Sequence, residues 1–313
     1  MNARSGSWVV VLVLSGAGCG TSNRECNVGA DCASGACRSD GSCVAVVPDA
    51  GGPGETGGPG LDAGPRSEAG RDAPASVDAG GCVPGPVSTI ARDQVILGPG
   101  LHATFRIAES ATIDTAGQAQ SDGSKKWDLS TALPGDHDVL VETVSPAGSW
   151  YAADFANAGY ASQLSDTVNL LGVFRTSPSA LLLGGVVSPT GGAQKTELTY
   201  SPEVVTLQFP LMEGATWSTS ATVTGYAQGF PGTYTEAYQS TVDAHGKLVT
   251  PLATFDVLRV GTVITRTQGV LVTVVRTYTW VTDCFGGVAA ITSQNNETQA
   301  EFTSAAEVRR IAP

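Results

Sequence analysis

"TFDVLRVGTVITRTQGVLVTVVRTYTWV", residues 254–281, decides the fold. In its second half Val270, Val272, Val274, Arg276, Tyr278 and Trp280 fall on one face of an extended chain. Leu271, Thr273, Val275, Thr277, Thr279 and Val281 fall on the other. The period is two and the residues are β-branched or aromatic, which describes strand and not helix. Gln268-Gly269 sits between the halves, so the stretch predicts a long β-hairpin. Both faces are apolar enough to be buried, which suits a two-layer sandwich or a curved sheet with one face lining a cavity.

Working outward, 217–226 and 232–243 carry the same signal, joined by "AQGFPG". Asp243-Ala244-His245-Gly246 reads as the next turn. Weaker strands fit 102–115, 138–144, 168–175, 180–187, 203–209 and 287–293. Helical signal is thin. "SAAEVRRI" places Ser304 and Glu307 at capping-box spacing, and 150–163 has room for one or two turns. About a dozen closely spaced strands predict one all-β domain over 82–313, a large antiparallel β-sandwich or half-barrel. Trp127 and Trp217 are expected as core or strand-end anchors. "KKWDLS", "PLMEGATW" and "TPLATFDVLRV" resemble fragments of uncharacterised secreted bacterial β-proteins, which implies a fold shared by exported proteins with no activity attached.

Upstream, residues 45–81 repeat Asp-Ala-Gly at 49–51, 62–64 and 78–80 without a hydrophobic period. Gly, Pro and acid without aromatics cannot bury enough surface to offset chain entropy, so a disordered linker is expected. Before it, Cys26, Cys32, Cys37 and Cys43 lie within a segment almost devoid of apolar residues. In an exported chain such spacing predicts a small disulfide-stapled module over 19–44, and it departs from the pairs that structural zinc favours. With Asp31, Ser34, Gly35 and Gly41 it resembles short modules near the N-termini of other secreted bacterial proteins. Cys82 and Cys284 remain, and the simplest assignment pairs them.

Seven cysteines leave one over, Cys19. Residues 1–18 hold one cation, Arg4, a short apolar run from Trp8 to Leu14, and small residues before the cysteine. This is the pattern of a secretory signal, far too short to span a bilayer. Ala17, Gly18 and Cys19 resemble the lipobox of bacterial lipoproteins, although Gly16 stands where the family usually has leucine. The resemblance implies lipid on Cys19, a membrane partner through that anchor and, with Gly20 following, an outer-membrane address in the cell envelope.

Chemistry is sparse. The histidines are His102, His137 and His245. Asp136-His137-Asp138 is the one local cluster with acid–base or metal potential, but neighbouring residues in a strand point apart, so a solvated polar loop is expected. No nucleophile elbow, HExxH pair or phosphate-binding loop occurs. Residues 82–313 carry 20 acidic against 12 basic residues, net −8, which argues against nucleic acid as a partner. No catalytic residue, metal or cofactor is expected. The function expected is display of a β-domain for binding or structural purposes, with a protein or glycan partner possible. A half-barrel carrier of apolar ligands and a hydrolase with distant carboxylates are the alternatives.

Overall fold

The computed structural model describes residues 85–313. The expected signal segment, Cys19, the module from Cys26 to Cys43, the linker and Cys82 lie outside the described residues. The first strands are β1 (Thr89–Ile90), β2 (His102–Glu109), β3 (Gln118–Ala119), β4 (Lys125–Asp128), β5 (His137–Val144), β6 (Tyr160–Gln163), β7 (Leu171–Thr176) and β8 (Ala180–Val187). Then follow β9 (Glu197–Gln208), β10 (Leu211–Met212), β11 (Thr216–Ala227), β12 (Phe230–Val249), β13 (Thr254–Gln268), β14 (Leu271–Thr282), β15 (Gly286–Ser293) and β16 (Ala305–Ile311).

Twelve of these form an antiparallel ring in the order β2-β5-β6-β7-β8-β9-β11-β12-β13-β14-β15-β16, with β16 pairing back onto β2. Each ring strand neighbours the next ring strand in the chain, the up-and-down arrangement that closure requires to remove free edges. The all-β antiparallel architecture is as the sequence predicts, and the sheet closes on itself. The decisive hairpin forms as expected: Gln268 pairs with Leu271 across a two-residue turn opened by Gly269 at φ 59. Gln228 and Gly229, at φ 52 and 82, make the β11–β12 turn; two positive φ values are what a type I′ hairpin turn demands.

Three local expectations are corrected. Asp243 to Gly246 is no turn; β12 runs straight through it, with a bulge between Val242 and Ala244. That bulge reverses which face the following residues present. Gly246 is there because β4 lies alongside β12: a Cβ would stand 1.8 Å from the Lys125 carbonyl oxygen. "SAAEVRRI" is no helix, since Ala305–Ile311 is the strand that closes the ring between β15 and β2. Residues 150–163 form turns and then β6, and among the described residues the one helical element is a 3₁₀ turn at Arg92–Gln94.

The ring is apolar on both sides over much of its circumference. Inward, Tyr160, Leu181, Leu207, Trp217, Val242, Leu258, Val260 and Val281 converge from strands all round the ring. Ile90, Val95 and Leu211, from the N-terminal segment and the β9–β11 connection, plug that end. Outward, Val257, Tyr278, Trp280, Ile291 and Val308 lie beneath a cover that supplies Trp127, Leu129 and Phe302. Trp127 meets Trp280 edge to face, ring centres 5.7 Å apart. This two-sided burial explains why β13 and β14 read as apolar on both faces. Trp127 and Trp217 are both core residues, as expected. At the plug end Cys284 is buried and disulfide-bonded; it is the only cysteine of residues 85–313, so its partner lies outside the described residues.

Candidate functional site

β12 reads Tyr234-Thr-Glu236-Ala-Tyr238, and the period of two puts both tyrosines and the glutamate on its inward face. Register sets Arg266 of β13 opposite Glu236. Arg266 donates to Glu236 at 2.7 Å, and the Tyr238 hydroxyl donates to the other carboxylate oxygen at 2.6 Å. Glu236 is 1% exposed whereas the Arg266 side chain is 54% exposed, its guanidinium 4.8 Å from the Tyr234 ring centre. Burial works against the arginine's charge, and Glu236 overcomes it, so its pKa is raised. Burial likewise pushes the Tyr200 and Tyr238 hydroxyls well above the ordinary phenol range, with Glu236 adding to it. These phenols stay protonated as hydrogen-bond donors. The sequence analysis missed this cluster, although alternation of Tyr, Glu and Tyr along a strand was the available signal.

The cover is held by two buried arginines, also missed. Arg259, 2% exposed, donates to Asp243 at 2.8 and 2.9 Å and to Glu301 at 2.7 Å, and stacks 4.1 Å over Tyr278. Burial alone would lower its pKa; hydrogen bonds to Glu301 and Asp243 raise it. Arg310, fully buried, donates to the carbonyls of Leu129 and Thr131 and pairs with Asp136. Here burial prevails and the pKa is lowered.

The cluster at 136–138 diverges as strand geometry dictates. His137 Nε2 lies 2.6 Å from Asp166, its Nδ1 lies 3.0 Å from the Gly135 carbonyl, and Asp138 accepts from Arg106. Asp136 does not fit the expected solvated loop, because it is the counter-ion of Arg310. His245, expected in a turn, sits in β12 and pairs with Glu213 at 2.6 Å. His102 opens β2 on the surface. Among the described residues no three His, Cys, Asp or Glu side chains are grouped to hold a metal ion.

Two open surface clefts flank the plug end. One of about 760 Å³ is bounded by Arg92, Pro178 and Phe209, and one of about 480 Å³ by Leu101, Glu142 and Val144. At the opposite end the hairpin turns stand clear of the ring. Phe230 is 72% exposed, Val270 97%, Leu271 67% and Val272 56%, the highest values among exposed large apolar residues described. No known family, curated protein or solved structure matches this chain.

Proposed function

We propose that the chain is an outer-membrane lipoprotein, anchored through lipid on Cys19, whose barrel is displayed on the 45–81 linker as a binding module. The hairpin end is its contact surface and the plug end holds the fold. One observation carries this proposal: the most exposed apolar side chains gather on the β11–β12 and β13–β14 turns, which the ring topology places at the same end. Folding leaves these side chains uncovered, and a clustered apolar surface is the usual mark of an interaction site. The apolar filling around Ile90, Leu211 and Trp217 favours a display scaffold over a carrier with a through-cavity. Cys82 is the proposed partner of Cys284, tying the linker's end to the plug.

Membrane fractionation with intact-mass analysis tests the anchor. The wild-type chain is expected in the membrane fraction with acyl mass on Cys19, and Cys19→Ser in the soluble fraction. A mature N-terminus elsewhere without acyl chains overturns it. Non-reducing peptide mapping of the same sample is expected to recover Cys82 joined to Cys284.

A further inference from the structure

We infer that the ring is a cup, closed at the plug end and open at the hairpin end, whose inner wall binds a neutral saccharide along a belt of hydroxyls at Ser240, Thr262, Thr277 and Thr292; this rests on the proposed binding role of the hairpin end and names its ligand class.

Strand register builds the belt. Ser240 of β12 pairs with Thr262 of β13, Thr262 with Thr277 of β14, Thr277 with Thr292 of β15, and Thr292 with Glu307 of β16. These positions face inward, because Ser240, Thr262 and Thr277 lie an even number of residues from the inward Val242, Val260 and Val281. Neighbouring strands stand about 4.8 Å apart, so one level of the wall carries a ladder of hydroxyls at that spacing. Paired hydroxyls in a sheet ordinarily bond to each other, as Ser240 and Thr262 do at 2.9 Å. Thr277 and Thr292 do not: their hydroxyls take no partner among the described residues, and both residues are partly exposed.

The space in front of the belt is open to water. One level nearer the hairpin turns stand Ile264 and Val275, again partly exposed. Beyond them Arg266 faces into the ring and is still 54% exposed. A barrel of eight strands fills with its own side chains or holds one small ligand, and the twelve strands here leave more room. Towards the plug the space ends, since Val242, Val260 and Val281 are at most 2% exposed. Across the ring Tyr200, Val204 and Val223 pack together. The β6–β7 connection bounds the belt at β16, where Glu307 accepts from Ser165 Oγ at 2.7 Å and from the Asp166 N–H at 3.1 Å.

The wall's chemistry selects the ligand. A hydroxyl both donates and accepts, so free hydroxyls in a row match a ligand whose own groups do both. The nearby charge is already balanced, because buried Glu236 neutralises Arg266 and leaves little to attract an anion. Ile264 and Val275 on one side of the belt and Ala290 on the other offer apolar contact to the C–H faces of sugar rings. A wholly apolar ligand would take water from Thr277 and Thr292 and return no hydrogen bond, which is unfavourable.

The test is isothermal titration calorimetry on the full chain carrying Cys19→Ser. Neutral trisaccharides of glucose, galactose, mannose and N-acetylglucosamine are the probes, with triglucuronate and oleate as contrasts. Saturable binding of at least one neutral trisaccharide is expected. Thr277→Val with Thr292→Val keeps shape and strand propensity and should weaken that binding about tenfold or more, as loss of two ordinary hydrogen bonds does. Neither hydroxyl bonds within the protein, so the urea midpoint of this variant should stay close to that of its parent. Thr277→Ser keeps the hydroxyl and should retain binding, and Thr265→Val, on the outer face of β13, should leave it unchanged. Binding of none of the neutral sugars overturns the inference, as does binding confined to triglucuronate or oleate. Indifference to the double valine change, or equal weakening by Thr265→Val, overturns it too. Any of these results with Cys19 acylated in the wild-type chain leaves the display reading standing, whereas absence of acylation removes the anchor without touching the sugar titration.

Discussion

The two ends of the ring treat apolar side chains in opposite ways. At the plug end Ile90, Leu211 and Trp217 are at most 8% exposed, whereas at the hairpin end Val270, Leu271 and Phe230 are more than two-thirds exposed. The same strands serve both ends. Along β11 the buried residues alternate with exposed ones from Trp217 through Ala221 to Val223, and exposure takes over only near the turn. The plug end converts apolar surface into stability by burial, while the hairpin end leaves it available for contact. Stability and binding are thus separated along the barrel axis, so a substitution at one end should leave the other property alone.

The largest expected effect breaks that separation if it fails. Trp217→Ala removes a buried aromatic at the plug end and orphans the Val205 carbonyl that its Nε1 donates to at 3.0 Å. It should cost about 4 kcal/mol, whereas Val270→Ser should stay within about 0.5 kcal/mol. Equilibrium urea unfolding of both variants is the measurement. A cost at Val270 comparable to that at Trp217 would mean that the exposed turn is part of the core after all.

Next comes the cover on the outer face. Asp136→Ala strands the fully buried Arg310 guanidinium, which forms no other salt bridge among the described residues. Breaking a buried pair from one side is costly, about 3 kcal/mol here. Glu301→Ala should cost less, because Arg259 keeps Asp243. Adding Arg310→Met to Asp136→Ala should recover part of the loss, since an uncharged chain of similar length no longer needs a counter-ion. Urea midpoints that rank Glu301→Ala as the more damaging change would contradict this account of the cover.

These residues also show what a sequence can and cannot disclose. The β13–β14 hairpin was legible because alternation and a glycine turn are local. The bulge at Asp243 was not, since the same Gly and Asp that mark turns also mark a place where another backbone, here β4 at Lys125, comes close. "SAAEVRRI" carries a weak helical signal, but β2 pairs with it from about two hundred residues upstream, and two open strand edges outweigh one capping box. Ion pairs were hidden for the same reason. Glu236 meets Arg266, and Asp136 meets Arg310, only once the register and the ring closure are known. The local inference that residues 136–138 point apart was sound, yet it could not say that Asp136 points at a buried arginine.

The smallest effect lies near the hairpin end, where His137 at the start of β5 reaches Asp166 in the β6–β7 connection. The Gly135 carbonyl, and then Asp166, favour the protonated imidazole, so the pKa of His137 is raised above the ordinary value near 6.5. The folded state therefore holds this proton more tightly than the unfolded chain does. The stabilisation is complete below the unfolded pKa and fades as pH rises through the higher folded one. Because the side chain is 46% exposed, solvent and salt screen the pair and the contribution is small. An NMR titration should place the His137 midpoint above 6.5, and Asp166→Asn should lower it only part of the way, since the Gly135 carbonyl remains. A midpoint indifferent to Asp166→Asn would show that the imidazole is held by the backbone alone, and that the β6–β7 connection is free of β5 at every pH.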